Sequence, residues 1–182
     1  MLKEYSLEGK KALITGGSTG LGQATAQVFA EAGADVAIAS RTAKTLESTA
    51  KEIRQHGTHV ITIPTDVSDS AQVNAMVAKT TEEFGQIDIL VNAAGMGVEG
   101  PVAALPERPE SFLSAYRKPR DHTTRFSDDL WHQCMNTNVS SVLYASRAVG
   151  PQMLERKHGK IINISSGSGI MAEPYHAAYG TS

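Results

Sequence analysis

This sequence has little of several things, and each shortage excludes a class of protein. Cys134 is the single cysteine, so no internal disulfide and no cysteine metal cluster can form. The formal net charge is only -2, which gives no reason to expect nucleic acid or an acidic membrane surface as a partner. No apolar run approaches the ~20 residues that span a bilayer. Residues 1–11 carry Lys3, Glu4, Glu8, Lys10 and Lys11 and no apolar core of a secretory signal, so a cytoplasmic location is expected. There is no internal repeat and no low-complexity tract. His56 and His59 are the closest histidine pair, but no third ligand stands near them, so a metal site is not expected.

What remains is an ordinary globular composition, 41% hydrophobic and 20% charged over 182 residues, enough for one domain with a full core. Short apolar runs alternate with amphipathic stretches. Strands are predicted at 11–15, 36–39, 59–63, 87–91 and 161–164. Helices are predicted at 21–32 and 42–55, each followed by a glycine stop, Gly33 and Gly57. Val73, Met76, Val77, Thr80 and Phe84 form one stripe at helical spacing, with Ser68 or Asp69 as its cap. Asp128 or Asp129 starts a long helix running to about Leu154, on which Trp131, Val139, Leu143 and Val149 are expected to pack inward. A last helical turn begins near Ala177. Parallel strands joined by helices give a three-layer αβα, doubly wound sheet of the Rossmann type, its near-continuous apolar strands buried on both faces.

Residues 96–129 break this rhythm. They hold Pro101, Pro106, Pro109 and Pro119 together with Arg108, Arg117, Lys118, Arg120 and Arg125. This stretch is expected to be a long loop inserted in a single domain, with one helical turn near 111–116. A loop of this length is usually functional or mobile.

The chemistry concentrates at strand ends. Thr15, Gly16, Ser18, Thr19, Gly20, Leu21 and Gly22 lie between the first strand and the first helix. Glycines there allow a sharp turn and close approach to a pyrophosphate, and free N–H groups at the helix start favour its charge. An ordinary flexible turn is the plainer reading; the strand before and the helix after favour phosphate binding. Arg41 follows the second strand, where NAD enzymes of this architecture carry an acidic residue for the ribose hydroxyls. A carboxylate would repel a 2′-phosphate, whereas a guanidinium can grip it, so NADP(H) is expected over NAD(H). The alternative is a solvated surface arginine.

The spacing TGxxxGxG, rather than GxGxxG, resembles the short-chain dehydrogenase/reductase family, and further matches follow in order. Asp66 and Val67, after the third strand, resemble the family's adenine-contacting pair; Asp66-Val-Ser-Asp69 is also turn and cap chemistry, but the context favours adenine recognition by Asp66 over bracing a turn. Asn92, Ala93, Ala94 and Gly95 resemble its NAAG signature, with both structural and cofactor-loop duties. Asn138 stands on the long helix where the family places a catalytic Asn. Ser166 and Tyr179 are 13 positions apart, as are the family's catalytic Ser and Tyr. Tyr175 competes with Tyr179, but it lies only nine positions from Ser166 and is followed four residues later by a Tyr.

The resemblance implies hydride transfer between a nicotinamide cofactor and a small carbonyl or alcohol compound. In that reading Tyr179 is the acid/base, Ser166 bonds the substrate oxygen and Asn138 organises a relay water. The family's Lys, four residues after the Tyr, would fall just past Ser182. The expectation is therefore a chain lacking the last strands, the lid and that Lys: a fragment of a longer reductase that forms homo-oligomers in its full-length form. A catalytically inactive nucleotide-binding or interaction protein is the alternative. Without further strands, the fifth strand would be an exposed sheet edge.

Overall fold

A computed structural model describes residues 5–98, 100, 127–171 and 176–182. Most of the expected loop, its helical turn near 111–116 and Tyr175 lie outside the described residues.

Five strands form one parallel sheet: β1 (Lys11–Thr15), β2 (Asp35–Ser40), β3 (Val60–Pro64), β4 (Ile89–Asn92) and β5 (Lys160–Asn163). Their spatial order is β3-β2-β1-β4-β5, so the winding reverses between β1 and β4. The helices are α1 (Gly20–Glu31), α2 (Ala43–Ile53), α3 (Ser70–Phe84), α4 (Asp128–Met135), α5 (Ser141–Glu155) and α6 (Ala177–Thr181).

Strand side chains alternate between faces, and both faces are apolar because helices cover both. Ala12, Ile14, Val36 and Ile38 pack with Ala26, Ala30, Leu46, Ala50 and Ile53 of α1 and α2. Leu13, Ala37, Ala39 and Leu90 pack on the other face with Val73, Met76 and Val77 of α3 and Ala145, Val149 and Met153 of α5. Each large aliphatic buried this way contributes about 1.5–3 kcal/mol. The predicted α3 stripe is the buried one, Val73, Met76, Val77, Thr80 and Phe84. The Asp69 carboxylate caps α3 by accepting from the Ala71 and Gln72 N–H groups. Gly85, at φ 80°, ends it in the left-handed conformation.

The long helix differs from expectation. It is two α-helices, α4 and α5, joined by a π-turn at Asn136–Ser140. Asn and Ser side chains compete with helical backbone bonds, and the Ser141 hydroxyl donates back to the Thr137 carbonyl, a contact that bends helices. Val149 is buried as expected, but Val139 and Leu143 are exposed. The buried stripe of α5 is Ser141, Ala145, Val149 and Met153, and spacing by four leaves Leu143 on another side. Strand β5 pairs with β4 alone among the described residues, and its four residues are exposed.

At the N-terminal ends of the strands, polar groups close on one another. The Asp88 carboxylate, 2% exposed, accepts from the Lys11 N–H at 3.0 Å, the Gln86 amide at 2.9 Å and the Arg156 guanidinium at 3.0 Å. Arg156 also donates to the Ile87 carbonyl, and Gln152 bridges the Ile87 N–H and the Thr81 hydroxyl. Beside them, Asp35 pairs with the Lys11 ammonium and accepts the His59 N–H.

The chain divides into two compact units. One holds the described residues of Met1–Gly95 and Asn136–Ile164, including the whole sheet; the other holds those of Met96–Met135 and Ser165–Ser182. The second has its own small cluster of Val98, Cys134 and Ala178, against which Met96 and the half-buried Trp131 pack.

Candidate functional site

The glycine-rich turn sits where the sheet order reverses, the place at which open parallel sheets bind ligands. Its glycines are there because backbone meets backbone. Gly16 has φ +68°, and a Cβ on it would lie 2.8 Å from the Ala93 carbonyl oxygen and from Ala94. A Cβ on Gly22 would lie 2.3 Å from the Gly16 carbonyl oxygen. The turn is instead open at Gly20, where φ is +56° and a Cβ would meet nothing within 4 Å.

Thr15, buried at the end of β1, accepts from the Ala93 and Ala94 N–H groups at 3.2 and 3.3 Å. It ties the glycine-rich turn to the Asn92–Gly95 loop after β4. The Asn92 amide is buried and donates to the Asn163 side chain of β5 at 2.9 Å. The two loops are therefore braced by the sheet on both sides.

The start of α1 carries no acidic residue in its first turn and no side-chain cap. The N–H groups of Ser18 and Thr19 have no hydrogen-bond acceptor among the described residues. The positive end of the helix dipole and these donors are left for an anion. Leu21 is exposed beside them.

Ser40 and Arg41 stand at the end of β2. Arg41 is exposed, and the Ser40 Oγ is buried without a hydrogen-bond partner among the described residues. Asp66 follows the neighbouring β3. Its Oδ1 accepts from the Ser68 hydroxyl at 2.7 Å and the Ser68 N–H at 2.9 Å. Those two bonds hold its carboxyl below the ordinary aspartate range; burial opposes them and the Arg41 charge assists. Asp66 thus braces its turn, and its Oδ2 takes no hydrogen bond among the described residues. The Val67 side chain belongs to the core, so only its backbone can face a ligand.

Asn138 lies in the π-turn, and a Cβ on Gly95 would come 3.6 Å from its Oδ1. The carboxamide thus borders the loop after β4, and π-turns are frequent at functional sites. In the second unit, Ser166 leads a short 3-10 turn at Gly167–Gly169 and accepts the Ser168 N–H at 3.3 Å. A Cβ on Gly180 would lie 3.1 Å from the Ser168 carbonyl oxygen, so the helix carrying Tyr179 packs against the Ser166 turn. Tyr179 is half-buried, its ring edge-on to His176 with centroids 6.1 Å apart.

Two residues that the sequence does not single out brace this turn and the loop after β4: Thr49 and Asn163. Thr49 of α2 is 3% exposed and donates to the Ser18 carbonyl at 3.1 Å. No local pattern marks either of them, because each matters through a neighbour distant in sequence.

The model of the family described as short chain dehydrogenase matches residues 10–182. A short chain dehydrogenase of Pseudocercospora fijiensis is 35% identical over 97% of this chain and 51% of its own length. The 2,3-dihydro-2,3-dihydroxybenzoate dehydrogenase of Bacillus subtilis is 32% identical over 97% of this chain and 59% of its own length. The crystal structure of an NAD+-bound xylitol dehydrogenase, 28% identical, superposes with a TM-score of 0.80 over 96% of this chain and 59% of that one. The chain thus spans about half to three-fifths of the length of these relatives. With the glycine-rich turn at the reversal of a five-stranded parallel sheet, the match places this chain in the short-chain dehydrogenase family.

Proposed function

We propose that this chain is a dinucleotide-binding domain that holds a nicotinamide dinucleotide, NADP(H) in preference to NAD(H), in an oxidoreductase of small carbonyl or alcohol compounds. The observation that carries this reading is the open turn before α1, with unpartnered Ser18 and Thr19 N–H groups and no acidic residue in the first helical turn. A pyrophosphate supplies the acceptors that these donors lack. At the end of β2, the Arg41 guanidinium and the buried Ser40 hydroxyl suit a 2′-phosphate better than bare ribose hydroxyls. Asp66 is the candidate adenine contact, and Asn92, Ala93, Ala94 and Gly95 line the opposite side of the reversal point.

When bound, the nicotinamide supplies the hydride chemistry. The protein's part is proton handling at the substrate oxygen. Ser166 uses an oxygen lone pair on the Ser168 N–H and keeps its own proton to donate to that oxygen. Tyr179 exchanges the proton there as general acid or base, a role worth about 10²–10⁴-fold in rate. Asn138, in the π-turn, is the candidate for ordering a relay water.

The test is Tyr179→Phe, assayed by NADPH oxidation over a panel of ketones. The expected result is a fall in turnover of at least about 10²-fold with NADPH affinity retained. Full activity in the variant would overturn the assignment of Tyr179. NADPH binding by the unaltered protein without turnover of any compound would favour a nucleotide-binding protein without catalysis.

A further inference from the structure

We propose that Thr49, on α2, is a positioning residue of the phosphate cradle: its hydroxyl sets the orientation of the Thr19 N–H through the Ser18 carbonyl. This rests on the reading of the glycine-rich turn as a pyrophosphate site.

Helical threonines usually return their hydroxyl proton to the carbonyl one turn back. Thr25, Thr80 and Thr81 do so, donating to Leu21, Met76 and Val77. Thr49 does not. It sits in the middle of α2, 3% exposed, and donates at 3.1 Å to Ser18, 31 residues earlier. A buried hydroxyl that leaves its own helix fixes whatever it reaches, because water is not present to compete.

The atom it reaches is informative. A trans peptide is planar, so its C=O and N–H point in opposite directions. No cis peptide occurs among the described residues. Turning the Ser18 carbonyl toward α2 therefore turns the Thr19 N–H away from α2. That N–H has no acceptor among the described residues, and the next residue, Gly20, is the open point of the turn. The turn needs such a tether. Gly16, Gly17 and Gly22 are held by close packing, with a Cβ on any of them meeting another atom at 2.8 Å or less. Ser18 is half-buried and Thr19 exposed, and Thr19 makes no side-chain cap bond. The Thr49 hydroxyl supplies the missing constraint. Rigidity of the donors before binding increases affinity, since the ligand need not order them.

The experiment compares Thr49→Val, which keeps the shape and removes the proton donor, with Thr49→Ser, which keeps the donor. NADPH and ADP binding are measured by calorimetry, and apo stability by thermal melting. The expected result is a Kd raised about fivefold by Thr49→Val for both ligands, the effect of one net hydrogen bond, and restored by Thr49→Ser. Unchanged affinity in Thr49→Val would overturn the proposal, whatever happens to its melting temperature. Independently, the Thr19 amide of the unaltered protein should become protected from hydrogen exchange when NADPH binds. No change at that amide in an NADPH-saturated sample would also overturn it, even if Thr49→Val failed to fold. An unaltered protein that binds neither NADPH nor NADH would sink the dinucleotide reading itself.

Discussion

The two ends of the parallel sheet are built from the same strands but treat polar groups differently. At the N-terminal end, Asp88, Arg156, Gln152, Gln86, Lys11 and Asp35 satisfy one another and the local backbone. At the C-terminal end, the Ser18 and Thr19 N–H groups, the Ser40 hydroxyl and one Asp66 oxygen have no partner among the described residues. Only the Ser40 hydroxyl is buried among these, and the Thr58 hydroxyl just before β3, at the opposite end, is buried and unpartnered among the described residues too, so the difference between the ends lies in the dense pairing around Asp88. In the proposed reading the closed N-terminal end serves stability and the open C-terminal end serves binding.

The largest expected effect comes from Gly22→Ala at the open end. Its Cβ would sit 2.3 Å from a backbone oxygen, so the turn must move. Stability should fall by about 3 kcal/mol in urea denaturation, and NADPH binding should be lost with it. Retained NADPH affinity in this variant would break the link between turn shape and binding.

Arg156→Met at the closed end should separate the two roles. It leaves the Asp88 carboxylate short of its guanidinium partner and should cost about 2 kcal/mol, with NADPH affinity of the folded protein unchanged. Acid titration sharpens this. Burial alone would raise the Asp88 value, but the Lys11 N–H, the Arg156 guanidinium and the Gln86 amide together hold it below the ordinary range. The unfolded chain therefore takes up the proton first. Stability from Asp88 is complete above the ordinary aspartate value, about 3.9, and is lost as pH falls below it through the lower folded value. Asp35, held down by Lys11 and the His59 N–H against its own burial, adds in the same direction. Arg156→Met should shrink the acid loss, measured as urea midpoints from pH 5 down to pH 2.

Arg41→Ala should have the smallest effect on stability, within about 0.5 kcal/mol, because the side chain is exposed. Its effect should appear in selectivity: NADP(H) Kd should rise about tenfold more than NAD(H) Kd. Equal losses for both cofactors would remove the 2′-phosphate role and return Arg41 to an ordinary surface residue.

Much of this architecture was legible in the residues. The inner strands β1, β2 and β4 and the α3 stripe were visible because burial on both faces forces apolar runs and burial on one face forces a helical period, and the edge strands β3 and β5 were visible as apolar runs although they are only partly buried or exposed. The π-turn at Asn136–Ser140 was not, since the expected helix has the right composition on both sides and the break depends on side-chain bonds such as that of Ser141. Val139 and Leu143 misled for the same reason: the register of the helix, and hence its buried side, is decided by its docking on α3 and the sheet.

For the site, the glycine spacing, the Asn92–Gly95 loop and the Ser166–Tyr179 interval are local features, and local sequence determined them because turns, caps and helix starts are dictated by residues within a few positions. Sequence also determined that Arg41, not a carboxylate, follows β2. Tertiary structure alone decided which polar atoms stay unpaired and which are tethered. Thr49 reaches Ser18, Asn163 reaches Asn92 and Arg156 reaches Asp88 only after the sheet and helices have packed. A hydrogen bond between residues tens of positions apart leaves no periodic trace in the chain, so its existence is settled by folding.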